Sequence, residues 1–206
     1  MRIITGIARG THLATLESDA TRPTADKVKE AIFSMIQFEI EGRRILDLFG
    51  GSGQLALEAL SRGAERATIT DSSRDAVNVI IENAKHAKLY DKCRISNISF
   101  ESFLGRRTDE KYDIVFLDPP YGTPMLHDAL RLIADGDLLA DGALVICECD
   151  TVPSKKNKFE KKDAELMRGA VLRDVFTGDE ELMDMYTIEK NAVYGRTRVV
   201  VLAKDA

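Results

Sequence analysis

The 206-residue sequence has too few cysteines and histidines to rest its chemistry on either. Cys93, Cys147 and Cys149 are odd in number, lie within apolar runs and form no C-x-x-C pair, which excludes a disulfide framework and a zinc site. Buried, reduced thiols are expected. The three histidines are scattered, so no metal is expected. No run reaches the roughly 18 to 20 uncharged apolar residues that would cross a bilayer. The opening MRIITGIARG lacks the apolar core and small-residue cleavage site of a secretory signal. A cytoplasmic protein without a membrane partner is expected. Positive charge is not in excess either: a net charge of -5 and a pI near 5.4 exclude a protein that coats nucleic acid by bulk charge, while leaving room for a local basic face.

Hydrophobic residues, at 44%, suffice for one well-buried domain with small attachments. Residues 2–16 hold two short β-prone runs around Ala8-Arg9-Gly10, a hairpin too small to stand alone. Thr24 can cap a helix whose Val28, Ala31, Ile32, Met35 and Ile36 recur at the spacing of one buried stripe. From Arg44 onward, apolar runs (45–49, 67–70, 94–98, 112–117, 143–147) alternate with helical stretches (55–62, 74–89, 101–106, 124–134). That alternation predicts an α/β fold, Rossmann-like, with a mostly parallel sheet covered on both faces. Two final runs, 185–193 and 198–203, predict an antiparallel hairpin at the sheet edge. The division expected is an N-terminal extension over 1–22 and a main domain over 23–206, with an irregular insertion at about 151–185. Within it, Ser154–Asp163 is a charged stretch that reads as a solvated loop.

Asp47-Leu48-Phe49-Gly50-Gly51-Ser52-Gly53 follows the first of these strands and leads straight into a helix, where glycines let a ligand approach the helix N-terminus. Asp71, at the end of the next strand, is placed to hold ribose hydroxyls. Gly51-x-Gly53-x-x-Ala56 also satisfies a dinucleotide fingerprint. Asp47 discriminates: its carboxylate would face the pyrophosphate of NAD, whereas S-adenosylmethionine (SAM) has no phosphate and brings a sulfonium and an ammonium. The candidate SAM site is Asp47, Phe49, Gly50, Gly51, Ser52, Gly53 and Asp71, with Ser99 and Phe100 placed by strand order against adenine.

Asp118-Pro119-Pro120-Tyr121 follows a strand, at the sheet end where open α/β folds bind ligands. Two prolines remove two N–H donors and leave carbonyls on offer, which suits a donor-rich target. The Asp118 carboxylate and the Pro119 carbonyl can accept from an aromatic exocyclic amine and localise its lone pair, while Tyr121 stacks on the base. The base must then be flipped out or single-stranded. Guanine's adjacent N1–H and N2–H2 donors suit a carboxylate better than adenine's donor and acceptor. Adenine N6 and a protein glutamine amide stay open as targets. A non-catalytic RNA-binding assembly factor is disfavoured by the intact Asp118–Tyr121 loop.

With these residues in hand, the chain resembles the bacterial 16S rRNA guanine-N2 methyltransferases. The likeness runs through RIITGIARG, Thr21–Ala31 (TRPTADKVKEA), DLFGGSGQLALEALSRGA, DPPY and Tyr194-Gly195. It implies SAM contacts at Gly51–Gly53 and Asp71, catalysis at Asp118–Tyr121, and RNA contacts from the N-terminal hairpin and Arg22. The partner implied is 16S rRNA or the small ribosomal subunit, met by a monomer. Asp71 stands where glutamate is more usual, Ser99 where Asp or Asn is common, and 151–185 is longer than the family needs. Arg2, Arg9, His12, Arg22, Lys27 and Lys29 give the N-terminal region its cations, with Arg9, Arg22 and Lys27 the candidate RNA contacts.

Overall fold

The structure, a computed structural model, describes residues 1–16, 24–107, 109–151 and 164–204. Arg22 and the charged stretch 154–163 therefore lie outside the described residues. Seven strands form one sheet in the order β3-β2-β1-β4-β5-β7-β6. They are β1 (Arg44–Asp47), β2 (Arg66–Asp71), β3 (Cys93–Asn97), β4 (Tyr112–Leu117), β5 (Leu139–Asp150), β6 (Tyr186–Tyr194) and β7 (Thr197–Lys204). β1 to β5 are parallel, and β7 enters antiparallel between β5 and β6.

Strand periodicity builds two cores from one sheet. Ile45, Ile114, Phe116, Val199 and Val201 point to one face; Leu46, Val115, Leu117, Val200 and Leu202 point to the other. The first face is covered by α1 (Thr24–Met35), α2 (Gln54–Ser61) and α3 (Arg74–His86). The second is covered by α4 (Phe100–Leu104), α5 (Met125–Asp135), α6 (Ala164–Asp174) and α7 (Glu180–Met183). Burial on both faces is why β4 reads as a nearly unbroken apolar run.

Two expectations are corrected. Residues 151–185 are not irregular throughout: α6 and α7 occupy part of the stretch and bury Ala170, Val171, Leu182 and Met183, with Val175 and Phe176 buried in the segment between them. α6 itself buries only Ala170 and Val171, too short a stripe to show a helical period. β5 is longer than the run 143–147, extending to Asp150 and carrying Glu148 with it.

The N-terminal hairpin is paired at a single bridge, Arg2 with His12, flanked by hydrogen bonds from Ile3 N–H to Thr11 and from Leu13 N–H to Met1. So short a ladder needs a support, and α2 supplies it. Ile3, Ala8 and Leu13 join the first core. The fully buried Glu58 carboxylate accepts from the N–H groups of Ile4 and Thr5 at 2.7 and 3.0 Å and from Arg62 Nε at 2.8 Å. Lys29, a surface cation by its sequence context, is 1% exposed. Its Nζ donates to the Arg2 carbonyl at 2.6 Å and lies 3.7 Å from Glu58, so it is a structural ion beneath the hairpin and no RNA contact.

Candidate functional site

A cleft of about 640 Å³ opens at the carboxyl ends of the parallel strands. One end is walled by the β1–α2 loop, Asp71, Ser99 and Phe100, and the other by Asp118, Pro119, Pro120, Tyr121, Glu148 and Thr197. The two loops come together because β1 and β4 are adjacent, with Asp47 in register with Phe116.

The glycine loop is shaped residue by residue. Gly50 donates its N–H to the Thr70 carbonyl at 2.8 Å, and a Cβ there would lie 2.7 Å from Ile69 Cγ2. Gly50 is therefore glycine for packing. Gly51 is different: its φ of +54 calls for glycine, and a Cβ would meet no protein atom closer than 4.0 Å, so it faces the open cleft. Gly53 adopts φ 78 at the start of α2, and Ser52 is buried behind the loop.

Asp47 is 1% exposed, and its Oδ1 has no hydrogen-bond partner. Burial pushes its carboxyl up to about 7, against the pull of the Ala56 and Phe49 N–H groups. Gln54 Oε1, on the same cleft wall, is also buried without a partner. Sequence reading missed Gln54, whose amide carries no motif. Two unsatisfied acceptors in residues that line one cleft suit an ammonium, which has three donors and no acceptor. Asp71 accepts from Gly51 N–H at 2.9 Å and Ser73 N–H at 2.8 Å, one to each oxygen, and retains lone pairs for hydroxyl donors. Its position is fixed from behind by Asn97, whose amide donates to the Asp71 and Ser72 carbonyls, both at 2.9 Å.

Ser99 sits on the cleft wall while capping α4, its hydroxyl accepting from Ser102 N–H at 3.3 Å. Phe100 is buried and packs against Phe49, ring centroids 5.2 Å apart. Phe49, half-buried above it, offers more surface to a ligand.

At the other end, Asp118 is half-buried, Pro119 buried and Pro120 exposed. The Thr123 hydroxyl donates to the Pro120 carbonyl at 2.7 Å, which commits that carbonyl to the loop. The Tyr121 hydroxyl donates to Glu148 Oε1 at 2.7 Å and lies 3.2 Å from Thr197 Oγ1. Burial, with the Glu148 charge next, pushes the Tyr121 phenol far above its ordinary range, so the ring is a fixed neutral platform. Neither Glu148 nor Thr197 was legible, because Glu148 reaches the cleft through the pairing of β5 with β4 and Thr197 through that of β7 with β5. Arg9 and Lys27 are both exposed. The turn that carries Arg9 packs on the far end of α2, where Ile7 N–H reaches the Ser61 carbonyl. Among the described residues, no helix is long and apolar enough to cross a membrane, and no cluster of His, Cys, Asp and Glu is arranged to hold a metal.

A sheet of this order, with a glycine loop and an Asp-Pro-Pro-Tyr loop side by side at its carboxyl edge, defines a Rossmann-like methyltransferase fold. Known proteins narrow the class. A family described as Conserved hypothetical protein 95 matches residues 1–170. The chain is 36% identical over 170 residues to Ribosomal RNA small subunit methyltransferase D of Escherichia coli, covering 80% of this chain and 85% of that protein. Its counterpart of the same name in Haemophilus influenzae is 34% identical over 152 residues, 73% and 79% of the two chains. The solved structure of the E. coli protein yhhF aligns with a TM-score of 0.77 at 29% identity, covering 100% of this chain and 98% of that one. The chain belongs to the Conserved hypothetical protein 95 family, as its resemblance to the bacterial small-subunit rRNA methyltransferases implies.

Proposed function

We propose that this protein is a cytoplasmic SAM-dependent methyltransferase acting on the exocyclic N2 amine of a guanine in small-subunit ribosomal RNA. The observation that carries the reading is a single cleft with an unpartnered buried carboxylate oxygen on Asp47 at one end and the Asp118–Tyr121 loop at the other. SAM supplies a sulfonium-bound electrophilic methyl group when bound. Asp47 and Gln54 would take its ammonium, Asp71 its ribose hydroxyls, the Gly51–Gly53 backbone its close approach, and Ser99 with Phe49 and Phe100 its adenine. NAD fits worse, because Asp47 would face a pyrophosphate.

At the other end Asp118 and the Pro119 carbonyl accept from the target amine, drawing its lone pair out of the ring and towards the cofactor end. Asp118 also takes the proton that the amine sheds. Tyr121 stacks on the flipped base from a position locked by Glu148 and Thr197. The names borne by the relatives point to small-subunit rRNA, and the acceptors Asp118 and Glu148 on the cleft wall support guanine as the base. Incubation with labelled SAM and small subunits lacking their methylations, followed by nucleoside digestion, tests it. Label in N2-methylguanosine is expected. Label in N6-methyladenosine or in a protein glutamine would reassign the target, and no label at all would leave the fold without the activity.

A further inference from the structure

Leu117 of β4 pairs in register with Cys147 of β5, so Asp118, the first residue past β4, lies beside Glu148, which β5 carries on against β7. Adjacent strands run about 4.8 Å apart, and both side chains line the same cleft. Glu148 also holds the Tyr121 hydroxyl at 2.7 Å, which puts its carboxylate beside the ring on which the target base would stack. The site thus has two acidic acceptors where one suffices to engage an amine. Tyr121 uses Glu148 Oε1, and a carboxylate accepts several hydrogen bonds through its two oxygens.

We infer that Glu148 is a specificity-determining residue that reads the N1–H of the target guanine while Asp118 and the Pro119 carbonyl engage its N2 amine. The inference rests on the guanine reading above and deepens it. A purine that presents N1 as an acceptor would bring a lone pair against the Glu148 carboxylate, so adenine is rejected by repulsion as well as by a missing donor. The amine alone cannot provide this discrimination, because adenine and guanine both carry one.

2-Aminopurine probes the contact: it keeps the 2-amino group of guanine and has an unprotonated N1, and because it lacks O6 as well, the change of the ratio on substituting Glu148 is what reads the N1 contact. RNA fragments or reconstituted subunits carrying guanine or 2-aminopurine at the modified position would be compared with wild type, Glu148→Gln and Tyr121→Phe, with SAM affinity measured in parallel. Wild type should favour guanine on the order of 10⁴-fold, since a site built to accept from a substrate N–H discards a substrate lacking it. Glu148→Gln, whose amide can turn an N–H towards N1, should shrink that ratio at least about tenfold, with SAM affinity unchanged. An unchanged ratio in Glu148→Gln would overturn the inference while leaving the guanine activity standing. So would a Tyr121→Phe variant that reproduced the Glu148→Gln ratio, because Glu148 would then act only by holding the ring. Wild type that labels no guanine N2 fails one step earlier, at the proposed function.

Discussion

The Asn83 side chain donates to the Ser52 carbonyl at 2.8 Å while binding both the N–H and the carbonyl of Ala14, at 2.8 and 2.9 Å. One buried amide thus joins the N-terminal hairpin to the glycine loop and spends its two donors and one of its acceptor sites doing so. Met1 and Leu16, at the two ends of that hairpin, line the cofactor end of the cleft. Hairpin and loop are therefore held as one unit. Asn83→Ala should lower stability by roughly 1–3 kcal/mol, the usual effect of leaving buried partners unsatisfied. It should also speed hydrogen exchange at the Ile3 and Leu13 amides, whose bonds close the hairpin. Exchange at wild-type rates would mean that the Glu58 cluster alone holds the segment.

Asp47 gives the cofactor end a pH signature. Its carboxyl is raised to about 7 by burial in the folded protein, against about 3.9 in an unfolded chain. Between those values the folded state binds the extra proton, so this group's contribution to stability is present in acid and falls as pH rises towards 7. An ammonium ligand prefers the ionised form, so SAM affinity should climb by up to about tenfold per pH unit below 7 and level off above it. Asp47→Asn should melt higher than wild type at pH 8 without ligand, lose most SAM affinity and lose its pH dependence. Gly51→Val should lose SAM binding and also melt lower than wild type, because a β-branched residue is strained at φ +54 and its added atoms enter the cleft. Calorimetry across pH 5 to 8 reads the Asp47 effects, and flat affinity in wild type would remove Asp47 from the ammonium site.

The parts of this site that were legible beforehand are those contiguous in sequence. Gly50–Gly53 follows β1 directly and Asp118–Tyr121 follows β4 directly, so strand alternation alone put both at the carboxyl edge. What escaped depends on distant pairing. Glu148 reads as part of a charged exit from an apolar run until β7 is seen to extend β5 to Asp150. Lys29 sits one residue past the buried Val28 and reads as surface charge, yet the hairpin covers it and Glu58 partners it. Arg198 has a similar history. It occupies a strand position just before the run Val199–Leu202, is wholly buried, and binds Asp174 of α6 at 2.9 Å, a helix too weakly patterned to be foreseen.

Asp118 is expected to act on the target and hardly at all on the cofactor, since it belongs to the loop after β4, whereas Asp47 and the glycine loop follow β1 in the shared cleft. Asp118→Ala should cut methyl transfer on the order of a hundredfold or more, the typical loss for a preorganised polar group. The SAM-induced rise in melting temperature should persist. Single-turnover kinetics on undermethylated subunits would separate the two. Near-normal turnover would reduce the Asp118–Tyr121 loop to a structural turn.

Arg9 tests how an acidic protein holds RNA. Its turn is fastened to Ser61 at the far end of α2, and eight residues of helix at 1.5 Å each place it about 12 Å from the glycine loop along that axis. At that reach Arg9 can meet a backbone phosphate beside the target nucleotide's neighbours, but not the flipped base. Lys27, exposed on α1, offers a second cation on the same side of the sheet. Arg9→Glu combined with Lys27→Glu should weaken RNA binding strongly. It should also make the slope of log affinity against log salt shallower by about 0.7 to 0.9 for each phosphate that the protein no longer neutralises. SAM binding should survive, because neither side chain lines the cleft. Filter binding over a range of potassium concentrations gives the slope directly. An unchanged slope would place the RNA elsewhere, and the lysines of the 154–163 stretch would be the next cations to substitute.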